Sequence, residues 1–329
     1  MKKNVLFIGI DVSKKTLDIA NWNAQTTKSI ENSQGALGKE VKYLITTYPN
    51  FTIKVGVENT GIYNYNINEV LPCFDIELYV FNPLHLKKSI GLARGKNDAI
   101  DALRIASHLH RYENELTPHI LVRKPVERLK SLMSLRNRHV KYRKSYKQAA
   151  KEINDMEARD LAKDVNQSTN RIVKQISEEI KIIEQKITQI IEQDKRLNRL
   201  YRCITSVDGV GKVIAWTVIV KTNEFRTIND PRKLACFAGV VPFEYQSGSS
   251  IYRKPRVSFM ADKALKKILT MGAIRVIQLE GELAEYYERK VREGKNKMSV
   301  INAIRNKLIA RICSCVNNDR LYVKRLDLS

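Results

Sequence analysis

The sequence predicts an α/β layer domain built on a mixed sheet, followed by a mainly helical remainder. Two patterns carry this. Short apolar or alternating runs recur between residues 4 and 81, with a helical spacing among them. From about residue 124 the pattern turns helical for some 75 residues and contains a long 3,4-spaced isoleucine series.

The elements follow in order. "VLFIGID", with its Asp11, reads as a buried strand. "LDIANW" at 17–22 is a second, and a third lies near 26–30. "GALGKEVKYLITTY" places Leu37, Val41, Leu44 and Ile45 at helical spacing. In "FTIKVGVE", Phe51, Ile53, Val55 and Val57 alternate with Thr52, Lys54, Gly56 and Glu58. "IELYVF" at 76–81 is another strand, and "GLARGKNDAIDALRIASHL" at 91–109 opens a helix. Adjacent strands followed by alternating helix and strand imply a mixed sheet. The series Val173, Ile176, Ile180, Ile183, Ile187, Ile190, Asp194, Leu197, Tyr201 steps 3, 4, 3, 4, a coiled-coil seam with one polar position at Asp194. Its partner is either the helix near 126–160 or another chain. The last third, 260–317, reads as helices separated by "EGE" and "REGKNK". The expected division is 1–123, 124–202 and 203–329.

Charge is split along the chain. The net charge of +23 comprises +3 on residues 1–110, from 13 Lys/Arg against 10 Asp/Glu, and +20 on residues 111–329. Such an excess points to polyanionic partners. The five cysteines form no C-x-x-C pair, which argues against zinc and thioredoxin-like chemistry and for small buried residues in a reducing compartment. "MKKNVLFIGID" is too short an apolar run for a secretory signal, and no run is long enough to span a membrane, so a cytoplasmic protein is expected.

Two basic clusters stand out. Lys87, Lys88, Arg94 and Lys96 precede the helix carrying Asp98 and Asp101. "RNRHVKYRKSYK" at 136–147 holds Arg136, Arg138, Lys141, Arg143, Lys144 and Lys147, with Tyr142 and Tyr146 interleaved. It is either a solvated face or a nucleic-acid surface that combines phosphate-binding charge with stacking groups. "ITSVDGVGKVIAWTVIV" has a turn at Gly209 and Gly211, followed by Lys212. It resembles a helix-hairpin-helix, whose turn amides bind phosphate, and it reads equally as an ordinary helix–helix turn.

Asp11 and Glu58 each end a strand, and Asp98 and Asp101 share one helical face. Carboxylates so placed repel unless a cation neutralises them. A sulfur-free, oxygen-rich donor set favours Mg2+ or Mn2+, and two such ions suit phosphodiester chemistry.

"FIGIDVSKKTLDIA", "VGVENTG" and "NPLHLKKSIGLARGKNDAIDALRIA" resemble the N-terminal domain of DEDD transposases of insertion-sequence family one-ten, which includes the Piv-type invertases. The resemblance implies an RNase H-like, RuvC-like fold and places the family's four acids on Asp11, Glu58, Asp98 and Asp101. Asn97 stands where the family usually has Thr. "ITSVDGVGKVIAWTVI" and "LACFAGVVPFEYQSGSS" resemble the family's C-terminal hairpin and serine motif. The nucleophilic serine then falls on Ser247, with Ser249 and Ser250 as alternative registers. Arg253, Lys254 and Arg256, just beyond, join the expected nucleic-acid contacts, although the chain departs there from the family's usual string. The implied activity is DNA cutting and rejoining through a phosphoserine link, with donor and target DNA chosen by a non-coding bridge RNA, by a dimer or tetramer. Two rival readings are a junction nuclease that uses the same acids with water, and a non-catalytic coiled-coil scaffold for nucleic acid.

Overall fold

A computed structural model describes residues 4–90, 97–155, 159–247 and 251–323, and the chain divides into two compact units, 1–121 and 122–329. The first unit is built on a sheet of β1 (Asn4–Val12), β2 (Thr16–Asn21), β3 (Thr26–Glu31), β4 (Phe51–Glu58) and β5 (Ile76–Phe81), in the order β3-β2-β1-β4-β5. β3, β2 and β1 run antiparallel, while β1, β4 and β5 are parallel. This mixed sheet is compatible with an RNase H-like domain.

The period-2 pattern of the strands decides which helix meets which face. Leu6, Ile8 and Ile10 of β1 and Ile53, Val55 and Val57 of β4 face α1 (Gln34–Thr47), packing with Leu37, Val41 and Leu44. The opposite face carries Phe7 and Tyr79, which pack with Leu86 of α3 (Pro83–Ile90) and with Ile105 and Leu109 of α4 (Asp98–Arg111). Between β4 and β5 lie a short 3-10 turn, Gly61–Asn64, and α2 (Tyr65–Val70).

Two glycines let α4 lie close on that face. A Cβ at Gly9 would collide with the carbonyl of Ala102 and the amide of Ala106, and one at Gly56 would lie 2.8 Å from the ring of Phe81 and 3.3 Å from Ile105. Small residues on both partners thus bring helix backbone onto strand backbone.

The second unit begins with an antiparallel hairpin of α5 (Lys124–Asn154) and α6 (Arg159–Gln193). Its cross-helix contacts keep one register: Arg136 Nε to Glu184 Oε1 at 2.7 Å, Arg143 Nη1 to Ser177 Oγ at 3.4 Å, and Asn166 Nδ2 to Asn154 Oδ1 at 2.7 Å. The isoleucine seam is therefore covered within the chain, and Ile180, Ile183, Ile187 and Ile190 are buried. The seam also ends earlier than its spacing suggests. Asp194 is the N-cap of a new helix, α7 (Lys195–Thr205), and accepts from Leu197 N at 2.9 Å. A capping carboxylate and a polar heptad position look alike in sequence, but only the first breaks the helix.

The hairpin's root shares one hydrophobic core with α7, α8 (Lys212–Lys221), α9 (Pro231–Phe237), α10 (Lys263–Ile277), α11 (Glu282–Arg292) and α12 (Lys297–Asn317). The boundary expected near 202 falls inside this unit. A two-stranded ribbon, β6 (Phe243–Ser247) and β7 (Ile251–Arg256), joins α9 to α10. The cysteines divide: Cys203, Cys313 and Cys315 are buried, Cys236 is half-buried, and Cys73 is exposed, against the expectation that all five are interior. Among the described residues no helix is long and apolar enough to cross a membrane.

Candidate functional site

Strand parity puts Asp11 and Glu58 on the face that α4 covers. Asp11 lies two residues beyond Gly9 on β1, and Glu58 two beyond Gly56 on β4. The strands are parallel and in register, with Ile10 opposite Val57, so both carboxylates leave the same end of the sheet. Asn97 caps α4, its side chain accepting from Ala99 N at 3.1 Å, so Asp98 and Asp101 occupy the first turn. The helix dipole favours carboxylates there, which offsets part of their mutual repulsion.

The four acids share one electrostatic field. The Asp11 carboxyl is pushed up from 3.8 to about 6, first by burial and then by Asp98, Asp101 and Glu58, against a hydrogen bond from Val12 N at 3.0 Å. Burial, with Asp101 adding to it, also raises Glu58. Asp101 is partly compensated by Arg104 Nη1 at 2.7 Å. Such a field is what a hard cation relieves, and the all-oxygen donor set suits a divalent ion. Among the described residues, however, no three His, Cys, Asp or Glu side chains converge tightly enough to hold a metal ion. Arg104 engages Asp101 and the Val12 amide engages Asp11, so the chemistry of the set fits a cation while the side chains lie apart.

Asn64 holds the base of this site and had no signal in the sequence. It is 3% exposed and donates from Nδ2 to the Glu58 carbonyl at 3.0 Å. Asn32 ties the turn after β1 to the same segment, donating to the Ser13 carbonyl at 2.8 Å and the Tyr63 carbonyl at 3.2 Å.

A raised carboxyl has a signed consequence. Folded Asp11 holds its proton more tightly than the unfolded chain does, so its share of stability is present below pH 3.8 and is lost as pH rises through about 6. Two pK units correspond to roughly 3 kcal/mol, which solvent screening at this half-exposed group cuts to about 1–2 kcal/mol. In chelator, Asp11→Asn should therefore be more stable than wild type at pH 7 and equal to it near pH 4. Urea unfolding at the two pH values checks this, and an equal gap at both would assign the change to something other than charge.

The expected nucleic-acid contacts are distributed unevenly. Lys87 and Lys88 are exposed in the last turn of α3, which Ser89 Oγ and His108 Nδ1 tie to α4 at 3.0 Å. Arg94 and Lys96 lie outside the described residues. On α5, Arg138, Lys141, Tyr142, Lys144 and Lys147 are exposed, whereas Arg136 and Arg143 turn inward to Glu184 and Ser177. Lys212 also reaches Glu184, at 2.7 Å, and lies 5.7 Å over the Trp216 ring. Arg136 and Lys212 thus brace the hairpin against α8.

Gly209 has a φ of +78°, and a Cβ there would lie 2.7 Å from the Gly272 carbonyl of α10, so packing requires a glycine. Gly211 caps α8. Ser247 ends β6 opposite Ile251 on β7; Ser249 and Ser250 lie outside the described residues. Arg253 and Lys254 belong to β7, their side chains outside the described set, and Arg256 is exposed.

A mixed-sheet layer carrying four acids, in the same chain as a basic helical unit, is compatible with a DNA-recombining enzyme. Comparison with known families agrees along the chain. Residues 8–155 match the DEDD transposase of the IS110 type, and residues 201–288 match the "Transposase IS116/IS110/IS902 family". The chain is 26% identical over 327 residues to the pilin gene-inverting protein of Moraxella bovis, covering 97% of this chain and 98% of the relative. The Moraxella lacunata counterpart matches at the same identity and coverage. A putative transposase of Sinorhizobium fredii is 22% identical over 339 residues, covering 94% and 81%. The chain belongs to the IS110 family of transposases. That class recombines DNA and depends on divalent metal.

Proposed function

We propose that the protein is an RNA-guided recombinase of an insertion sequence, cutting and rejoining DNA through a serine nucleophile. The observation that carries this is the placement of Asp11, Glu58, Asp98 and Asp101 at one end of one sheet face, where Asp11 feels the other three. These acids would hold Mg2+ or Mn2+, two ions in all, and the metal would supply charge stabilisation at the phosphodiester. Ser247 would attack the phosphorus. Its Oγ–P bond forms as a P–O bond of the DNA strand breaks, and the serine proton ends on the departing sugar hydroxyl. Exposed Lys87 and Lys88 would hold the backbone beside the acids.

Guidance by a bridge RNA accounts for the +20 on residues 111–329 and for the exposed Arg138, Lys141, Tyr142, Lys144 and Lys147 on α5. The protein would grip backbone and A-form shape while base pairing with donor and target DNA reads sequence. Two duplexes need several strand cuts, so the working form is a dimer or tetramer. It would act in the cytoplasm, at the nucleoid.

Single alanine variants at the four acids test the reading. Each should lose strand cleavage by several orders of magnitude while keeping RNA and DNA binding and its steep salt dependence. Near wild-type recombination by all four would refute the acid site.

A further inference from the structure

α12 carries one charge into the core of the second unit. Arg305 is 5% exposed, surrounded along its helix by Ile301, Ile304, Leu308 and Ile309. Its Nη1 donates to Asn302 Oδ1 at 3.0 Å, and its Nε has no partner. Among the described residues no carboxylate pairs with it. The charge that does face it is Lys266 of α10, half-buried, whose stem runs beside Gly239, with Cδ 3.9 Å from where a Cβ would stand there. Burial holds both cations below their ordinary pKa, and Arg305 lowers Lys266 further. Asp262, one turn before Lys266, is committed to Lys221 Nζ at 2.7 Å and to Leu265 N at 2.8 Å.

Two like charges in a poorly solvated place are costly without an anion. The elements around them show where the anion would act. Asn302 accepts from Arg305 and donates from Nδ2 to the Val240 carbonyl at 2.6 Å. Val240 lies three residues before β6, the strand that ends in Ser247.

We propose that Arg305, Lys266 and Asn302 form an oxyanion site at the foot of the serine ribbon, and that it takes one backbone phosphate of the nucleic-acid strand. Arg305 would supply paired N–H donors, the geometry that suits a phosphate. Lys266 would bring the strand in from the surface. Asn302 would transmit occupancy to Val240, which makes Arg305 a positioning residue for the ribbon. The ligand's being nucleic acid rests on the recombinase reading, whereas the oxyanion site does not.

The test uses the full chain and inorganic phosphate, read as thermal stability against chloride at matched ionic strength, with oligonucleotide affinity measured across salt concentrations. Wild type should gain melting temperature from phosphate beyond chloride. Arg305→Met should be at least as stable as wild type without phosphate, should lose the phosphate-specific gain, and should reduce the log–log salt slope for DNA by about 1. Lys266→Met, nearer the surface, should do the same if Arg305→Met fails to fold, and Arg305→Lys should restore part of the gain. A destabilised Arg305→Met that keeps the phosphate gain, or a wild type with no such gain, overturns the site. A phosphate gain with an unchanged DNA slope overturns the strand assignment in favour of a free anion. Ser247→Ala should leave the phosphate gain untouched, and normal cutting by Ser247→Ala, Ser249→Ala and Ser250→Ala alike, with the phosphate gain intact, would sink the serine-recombinase reading and spare the site.

Discussion

Ser247→Ala should abolish both cleavage and joining of DNA while leaving RNA binding and divalent-metal binding at wild-type levels. The reasoning turns on which oxygen attacks phosphorus. Hydrolysis at an acid-bound metal needs only water, and a serine hydroxyl removed from its neighbourhood would scarcely change the rate. Transesterification needs the hydroxyl itself, so the loss should be several orders of magnitude. A wild-type reaction stopped with denaturant should hold protein attached to a DNA end, and mass spectrometry after proteolysis should place the adduct on Ser247. Mapping to Ser249 or Ser250 would keep the chemistry and shift the register. Normal cutting by all three alanine variants, with no adduct in wild type, would favour hydrolysis of the kind a junction nuclease performs.

The site's two halves were unequally readable in the sequence, for physical reasons. In β4 the alternation of Ile53, Val55 and Val57 reports a buried face directly, so it also reports that Lys54, Gly56 and Glu58 face the other way. The same parity places Asp11, and the i, i+3 step in α4 joins Asp98 to Asp101 on one helical face. What the pattern does not carry is why α4 can approach so closely. That depends on Gly9 opposite Ala102 and Ala106, and on Gly56 opposite Ile105 and Leu109, glycines whose importance lies in what they lack. The 3,4 series fails at Asp194 for a related reason. Spacing persists through a helix break that deletes no residue, and only the extended backbone of the cap, with φ −104° and ψ 113°, reveals the break. Arg305 was invisible because a cation in a helix ordinarily reads as solvated, and Arg136 and Lys212 because their shared partner Glu184 is 48 and 28 residues away.

Glu224 is the extreme case of a residue with no local signal, and its removal should be the most damaging single change to the second unit. Its side chain is 0% exposed. Arg123, at the start of that unit and 101 residues away, donates from Nε to Oε2 at 2.8 Å and from Nη2 to Oε1, while its Nη1 and Nη2 reach Asp194 at 2.8 and 3.0 Å. Arg196 Nη2 donates to the Glu224 carbonyl at 3.3 Å. The two carboxylates hold the Arg123 guanidinium charged more firmly than usual. Removing Arg123 strands a buried carboxylate beside Arg196 alone, so Arg123→Ala should cost about 3–5 kcal/mol, and Glu224→Ala a comparable amount. Asp194→Ala, which loses a cap and one more exposed partner, should cost about 1–2 kcal/mol. The backbone adds a second, separable effect. Asn223, Glu224 and Phe225 have φ of 46°, 59° and 61°, three successive residues in the left-handed region, which costs an ordinary L-residue about 1–2 kcal/mol. Glu224→Gly loses the ion pair but relieves its share of that strain, so it should be less damaging than Glu224→Ala by about 1 kcal/mol. Chemical unfolding of the full chain, followed by a probe in the second unit such as Trp216 fluorescence, measures all four variants. If glycine proves no better than alanine, the strain at Glu224 is not stored there; if Asp194→Ala matches Glu224→Ala, the buried position of Glu224 is not what makes the network matter.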